Sequence, residues 1–352
     1  MNEHILVTGA AGYLGSWVVE RLLRDGYFVH ATVRQLDDRK KIQHLYQLAA
    51  VYPEQLFLFA ADLLTEHSFD KAMEGCNVVI HTASPYFLKK PKDIEAELIK
   101  PALSGTLNVI GSVNRTATVR RVVLTSSVAT LYNDACDVGL AVERTVQEKD
   151  VNRNQDISHN PYAYSKTIAE KAAWEAQKKQ SRWDLVSIHP GAMFGPSLSQ
   201  RVDATSVDMI IQFLAGSFRT GVPKLWLGVV DVRDVATAHV NAAKLPSASD
   251  RYIVVAESKR LFEIGQMMRV SDHGIKNKLP KNETSKALIW LIGPLVGMQR
   301  NYVARNVNHP IKFNSERSIA ELGIRYRKPE ETFNDHLRQI MTDGLLPGYR
   351  QP

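Results

Sequence analysis

The chain has 352 residues, of which 44% are hydrophobic and 23% charged, with only 20 Gly and 15 Pro, a composition that excludes collagenous and disordered chains. Core material is sufficient for one large domain or two unequal ones, and two cysteines, Cys76 and Cys136, are too few for a disulfide framework or a four-cysteine zinc site. The net charge is +7, with nine Lys/Arg against four Asp/Glu in residues 251–300, but these are not interleaved with aromatics as a nucleic-acid surface requires.

Met1 to Glu3 runs straight into Ile5-Leu6-Val7 without the regions of a secretory signal, so a reducing, cytoplasmic location is expected. Short β-branched runs then alternate with helix-length amphipathic segments. Strands are predicted near His4 to Val7, Tyr27 to Val33, Leu56 to Ala60, Asn77 to His81, Arg121 to Thr125 and Asp184 to Ile188, with helices between them. Such alternation predicts an α/β fold built on a parallel sheet. A helix over Tyr13 to Arg24 ends at Asp25-Gly26, a C-terminal glycine signal. Beyond about residue 190, prolines break the pattern, and one more strand is expected at Tyr252 to Val255. The division expected is a dinucleotide-binding domain over 1–190 and mainly a substrate lobe over 191–352, from which some segments return to the first domain. The apolar stretch Ala287 to Met298 is shorter than the roughly 20 residues of a membrane span and contains Gly293-Pro294, so it reads as a buried helix. No membrane association, nucleic-acid partner or metal is expected.

The first strand leads into Thr8-Gly9-Ala10-Ala11-Gly12-Tyr13-Leu14-Gly15, a glycine triplet that opens a helix. The first glycine permits a tight turn, the second lets the backbone approach a pyrophosphate, and the third allows the helix to pack closely on the strand. This is a Rossmann-type doubly wound parallel sheet in the making. An acid after the second strand would accept from a ribose 2′-OH; Arg34 stands there instead, followed by Arg39, Lys40 and Lys41. An arginine fork suits a 2′-phosphate, which favours NADPH/NADP over NAD. Asp62, followed by Leu63, lies after the third strand, where a carboxylate either accepts from an adenine amino group or caps a helix.

Tyr162-Ala163-Tyr164-Ser165-Lys166 places a phenol and an ammonium four residues apart, on one helix face. Tyr86 and Lys90 share that spacing but lie between Pro85 and Pro91, whereas Tyr162 follows Asn160-Pro161, an N-cap and first-turn signal. The nearby positive charge lowers a phenol pKa and suits Tyr162 to general-acid work. Ser127 closes the strand run Val122-Val123-Leu124-Thr125-Ser126 at the carboxyl edge of the sheet, where it can donate to a substrate carbonyl.

These residues together resemble the extended short-chain dehydrogenases/reductases. Within them Thr32-Val33-Arg34, His81-Thr82-Ala83-Ser84-Pro85, Thr125-Ser126-Ser127 and Asp231-Val232-Arg233-Asp234-Val235-Ala236 are similar to the dihydroflavonol 4-reductase-like carbonyl reductases. The resemblance implies NADPH-dependent reduction of a ketone or aldehyde. It implies Tyr162 as proton donor, Lys166 holding both the ribose and the phenol pKa, and Ser127 polarising the carbonyl. Cofactor positions implied are Thr8, Gly9, Gly12, Tyr13, Leu14, Gly15, Arg34, Lys41, Asp62, Leu63, Thr82, Ala83, Thr125, Tyr162, Lys166 and Pro190. Two departures bear on the substrate. Cinnamoyl-CoA reductases carry Asn-Trp-Tyr-Cys-Tyr-Gly-Lys around the tyrosine, and plant flavonoid reductases carry an asparagine where this chain has Tyr132, with Asn133 one further.

The competing readings are a sugar-nucleotide epimerase or dehydratase with bound NAD, against which Arg34 argues, and a non-catalytic NADP-sensing protein, against which Ser127, Tyr162 and Lys166 argue. Pro85-Tyr86-Phe87-Leu88, Leu131-Tyr132 and Met193-Phe194, with Phe213 and Trp226, suggest a pocket for a bulky, uncharged, aromatic carbonyl compound. A monomer and a homodimer are both compatible with the sequence.

Overall fold

The computed structural model describes residues 3–84, 93–138, 145–153, 156–157, 159–199, 205–269 and 278–345. In chain order the first half runs β1 (His4–Thr8), α1 (Tyr13–Arg24), β2 (Phe28–Val33), α2 (Arg39–Val51), β3 (Leu56–Ala60), α3 (Asp70–Met73), β4 (Val78–His81), α4 (Lys100–Arg115), β5 (Arg121–Thr125), β6 (Thr145–Val146), α5 (Pro161–Gln177) and β7 (Asp184–Pro190). The second half runs β8 (Ala192–Phe194), α6 (Thr205–Ala215), β9 (Val222–Pro223), β10 (Trp226–Asp231), α7 (Val232–Lys244), β11 (Asp250–Val254), β12 (Glu257–Arg260), α8 (Leu261–Arg269), β13 (Glu283–Thr284), α9 (Lys286–Ile292), α10 (Arg300–Asn306), β14 (Lys312–Phe313), α11 (Glu316–Leu322) and α12 (Pro329–Thr342).

Strands with both faces covered read as continuous apolar runs, and Val78-Val79-Ile80 is buried throughout. The large sheet has seven strands in the order β11-β7-β5-β4-β1-β2-β3, with every neighbouring pair parallel. Successive strands step outward on one side from β1 through β3, then the chain returns to place β4 on the other side of β1. That reversal opens a crevice at the carboxyl ends of β1 and β4, the place where doubly wound sheets take ligands.

Helix α1 buries Leu14, Val18, Val19, Leu22 and Leu23 against the sheet, and α7 packs beside it through Val235, Ala238 and Ala242. The opposite face is covered by α4 and α5, with Val109, Val113, Ala173 and the fully enclosed Trp183 in that layer. A second core gathers Phe194, Val207, Ile210, Phe213, Phe333, Leu337 and Ile340 from β8, α6 and α12. The strand expected at Tyr252 to Val255 is β11, and it joins the edge of the large sheet beside β7. Arg121 fixes that region: its guanidinium donates to both Asp184 carboxylate oxygens at 2.8 and 2.7 Å and to the carbonyls of Ala242 and Ala248.

One expectation about packing is overturned. The Ala287 to Met298 stretch is not a buried helix: α9 ends at Ile292 and a 3₁₀ turn follows over Gly293–Val296. Ile289 is buried, but Leu291 is 61% and Leu295 87% exposed. Ile289 packs with Val303 and Val307 at α10, which gives α9 one buried side. Among the described residues no helix is long and apolar enough to cross a membrane.

Candidate active site

The crevice is built by close approach of backbones. Gly9 adopts φ +68, a left-handed conformation that L side chains rarely take, and a Cβ there would lie 2.8 Å from Ala83 Cα. Gly15 faces the same turn, and its Cβ would sit 2.3 Å from the Gly9 carbonyl oxygen. Gly12 precedes α1, whose first-turn N–H groups at Tyr13 and Leu14 have no partner within the helix. Thr8 ties the two strand ends: Thr82 Oγ1 donates to its carbonyl at 2.6 Å, and its own Oγ1 lies 2.7 Å from His81 Nδ1. The cleft is about 330 Å³, running from Gly9 and Gly12 past Arg34 and Lys41 to Asp62, Leu63, Thr82 and Ala83.

Several expected cofactor residues are engaged within the protein. The Leu14 side chain is core, and the Tyr13 hydroxyl donates to the Gly195 carbonyl at 2.6 Å, joining α1 to the loop after β8. Asp62 caps its own turn, accepting from Leu64 N–H at 2.8 Å, and stands 3.6 Å from Arg34 Nε. Lys41 pairs with Asp38 at 2.5 Å. Arg34 is 80% exposed at its side chain, so its charge faces the cleft mouth. Pro190 closes β7.

Helix α5 starts as the sequence suggests, with Asn160 Oδ1 accepting from Ala163 N–H at 3.1 Å and Pro161 in the first turn. Lys166 Nζ donates to the Thr125 carbonyl at 3.2 Å, which fixes the helix against the end of β5. Tyr162 stands one turn earlier and is 39% exposed. Ser127 follows Thr125 by two residues; its Oγ accepts from Ala129 N–H at 3.2 Å and retains its own O–H for donation. Burial pushes Lys166 down to about 8, opposed by the nearby Glu170 carboxylate.

Two histidines to which sequence reading gave no role of their own flank this lysine. His239 Nε2 lies 2.7 Å from Thr125 Oγ1 and its Nδ1 2.8 Å from the Val235 carbonyl. Burial, with Lys166 adding repulsion, takes His239 down to about 4 and His81 to about 3, so both rings are neutral at pH 7. Glu170 was also missed, although its place four residues after Lys166 and seven after the buried Ala163 is a local signal. It accepts from Ser126 Oγ at 2.6 Å and pairs with Arg251 Nε at 2.8 Å. Burial opposes its ionisation, but His189, Arg251 and Ser126 outweigh that and hold it well below the usual carboxylate range.

Of the expected pocket aromatics, Phe194 and Phe213 are corrected to core: at 1% and 0% exposure both pack in the second cluster, on Phe333 and Phe218 respectively. Leu131 is buried as well. Tyr132, Met193 and Trp226 remain half-buried, with Tyr132 edge-on to Phe313. Asn133 Oδ1 accepts from Arg153 N–H at 2.9 Å. Tyr86, Phe87 and Leu88 lie outside the described residues.

Sheet order, glycine crevice and the Tyr-Lys helix define an extended short-chain dehydrogenase/reductase with a Rossmann fold. The chain belongs to the NAD dependent epimerase/dehydratase family, whose model matches residues 5–256. It is 41% identical over 272 residues to cinnamoyl-CoA reductase CAD2 of Medicago truncatula, covering 76% of this chain and 81% of that protein. It is 34% identical to the bifunctional dihydroflavonol 4-reductase/flavanone 4-reductase of Pyrus communis over 98% of this chain and 93% of the other. The crystal structure of Gre2 in complex with NADPH from Candida albicans superposes with a TM-score of 0.79 at 27% identity, covering 97% and 99% of the two chains.

Proposed function

We propose that this protein reduces a ketone or aldehyde to an alcohol with NADPH, using Tyr162 as the proton donor. The observation that carries the reading is Lys166 Nζ, one helical turn from Tyr162, held 3.2 Å from the carbonyl of Thr125, which stands two residues before Ser127. The cleft fits the cofactor: its floor is glycine where a Cβ would collide, its end is a helix N-terminus that favours anions, and Arg34 and Lys41 are its cations. When bound, NADPH supplies the hydride.

The residues of the chain handle the proton and the charge. Tyr162 gives its phenolic proton to the carbonyl oxygen as that oxygen becomes an alkoxide. Lys166 lowers the cost of the phenolate left behind; a unit charge at about 4 Å and an effective dielectric of about 20 is worth roughly 4 kcal/mol, less with the exposure of Tyr162. Ser127 Oγ donates to the same carbonyl oxygen and stabilises its developing charge.

For the substrate we favour a bulky, uncharged carbonyl compound, because the half-buried Tyr132 and Met193 follow the carboxyl ends of β5 and β7, with the half-buried Trp226 opening β10. The relatives' names divide between acyl-CoA and flavonoid reduction, so both classes belong in the test. NADPH oxidation is followed with aryl ketones, aryl aldehydes, aliphatic diketones, acyl-CoA esters and nucleotide sugars, for wild type and Tyr162→Phe. The expected result is turnover of an uncharged carbonyl that Tyr162→Phe abolishes while NADPH affinity is kept. Best kcat/KM on an acyl-CoA ester or a nucleotide sugar overturns the substrate reading, and an active Tyr162→Phe overturns the proton-donor role.

A further inference from the structure

Glu170 is 2% exposed, yet its carboxylate is met by polar partners from the end of β5, from α5, from β7 and from β11. Ser126 Oγ donates to its Oε2 at 2.6 Å. Its Oε1 receives Trp174 Nε1–H at 3.2 Å and Ser187 Oγ–H at 3.3 Å, and lies 2.8 Å from Arg251 Nε on β11 and 3.4 Å from His189 Nε2 on β7. His189 Nδ1 is 3.1 Å from the carbonyl oxygen of Ser127. A carbonyl can only accept, so Nδ1 carries the proton there, and the ring packs between the Glu170 carboxylate and the Ser127 backbone. An apolar side chain at this position would pack between α5 and the sheet without the cost of burying a charge. What the carboxylate adds is direction: its Oε2 holds the residue before Ser127, while its Oε1 is held by Ser187 on β7 and Arg251 on β11.

We propose that Glu170 is the positioning residue that registers the Ser127 end of β5 against the Tyr162–Lys166 face of α5. The inference rests on the reductase reading for its kinetic consequence but not for its geometry. Glu170 touches no substrate. It stands one turn from Lys166, and both residues line the same small cavity of about 20 Å³ with His81, Thr125 and Ser126. The charged and titratable groups around the pair are accounted for: His81 on β4 and His239 on α7 face Lys166 as neutral rings, and Arg251 and His189 face Glu170. Glu170 is therefore the acidic neighbour that opposes the effect of burial on Lys166.

The test compares Glu170→Gln, which keeps the shape and removes the charge, with Ser126→Ala, which keeps the charge and removes one strand-end contact. Amide exchange of the ligand-free proteins reads the geometry without activity. Faster exchange confined to residues 125–131 and the first turns of α5 is expected in both variants, larger in Glu170→Gln. In turnover, Glu170→Gln should lower kcat about 10- to 100-fold with NADPH affinity little changed, the scale expected when a reacting group is misplaced. Its alkaline limb should move to lower pH, because Lys166 without the carboxylate loses its proton sooner; a merely structural defect lowers activity without moving the limb. The loss should be smaller in a Ser127→Ala background. Unchanged local exchange in both variants, or kinetic losses that simply multiply with an unmoved limb, overturns the proposal. Should Glu170→Gln fail to fold, Ser126→Ala alone decides by its exchange pattern and its coupling to Ser127→Ala. Wild-type inactivity on every carbonyl would overturn the reductase reading and leave the exchange result to judge Glu170.

Discussion

Gly9 and Ala83 meet backbone to backbone across the point where the strand order reverses, so closely that a Cβ on Gly9 would lie 2.8 Å from Ala83 Cα. The contact joins the loops after β1 and β4, the two edges of the glycine-lined cleft. Gly9→Ala therefore suffers twice, from its positive φ and from the collision. A loss of about 1–3 kcal/mol of stability and a weaker NADPH complex are expected, measured by denaturant unfolding and fluorescence titration. Gly26→Ala is the control, since its φ is +85 but nothing lies within 4 Å of its Cβ position; it should cost less and leave cofactor affinity unchanged.

Arg34 stands beside Asp62 and Lys41 beside Asp38 in exposed pairs that are weak in water and readily exchanged for a phosphate. Charge-assisted hydrogen bonds are worth about 1.5–3 kcal/mol, so NADPH should be preferred over NADH by roughly ten- to a hundredfold in kcat/KM. Arg34→Ala should remove most of that ratio by harming NADPH alone. Equal losses with both cofactors would assign Arg34 to the fold instead.

Buried neutral histidines make stability depend on pH. Desolvation takes His81 to about 3, His239 to about 4 and His336 to about 3, all below the ordinary value of 6.5. Between those limits the unfolded chain binds protons that the folded chain refuses, so stability is full above about pH 6.5 and falls on acidification toward 4. Each histidine contributes up to about 1.4 kcal/mol per pH unit in that window. His336→Gln, which can still accept from Gly195 N–H, should flatten the slope by about that amount; an unchanged slope would exclude His336 as a source.

Phe213 is fully enclosed among Phe218, Ile210 and Ile264 in the second core. Phe213→Ala should cost about 3–5 kcal/mol of stability through the cavity it leaves. Trp226→Ala, at a half-buried position, should instead change KM for bulky carbonyl compounds with a smaller loss of stability. A Phe213 variant with native stability and altered substrate preference would return that ring to the pocket.

Features that sequence determined were local ones. Glycines three residues apart fix a turn and a helix start, an Asn-Pro pair starts α5, and a four-residue spacing puts Tyr162 and Lys166 on one face; each depends on backbone geometry over a few residues. Parallel strands announce themselves because both faces are buried. The tertiary structure decided what no local pattern encodes. Phe194 and Phe213 read like pocket residues, yet β8, α6 and α12 converge and close over them. Ala287 to Met298 is as apolar as any core helix, but of its described side chains Leu288, Trp290, Leu291 and Leu295 face water while Ile289 packs with Val303 and Val307. The environment of Lys166 comes from His81 on β4, His239 on α7 and the Thr125 carbonyl at the end of β5, brought together from positions up to 158 residues apart by the sheet order. Burial is a property of what packs opposite a side chain, and the chain cannot state that until it has folded.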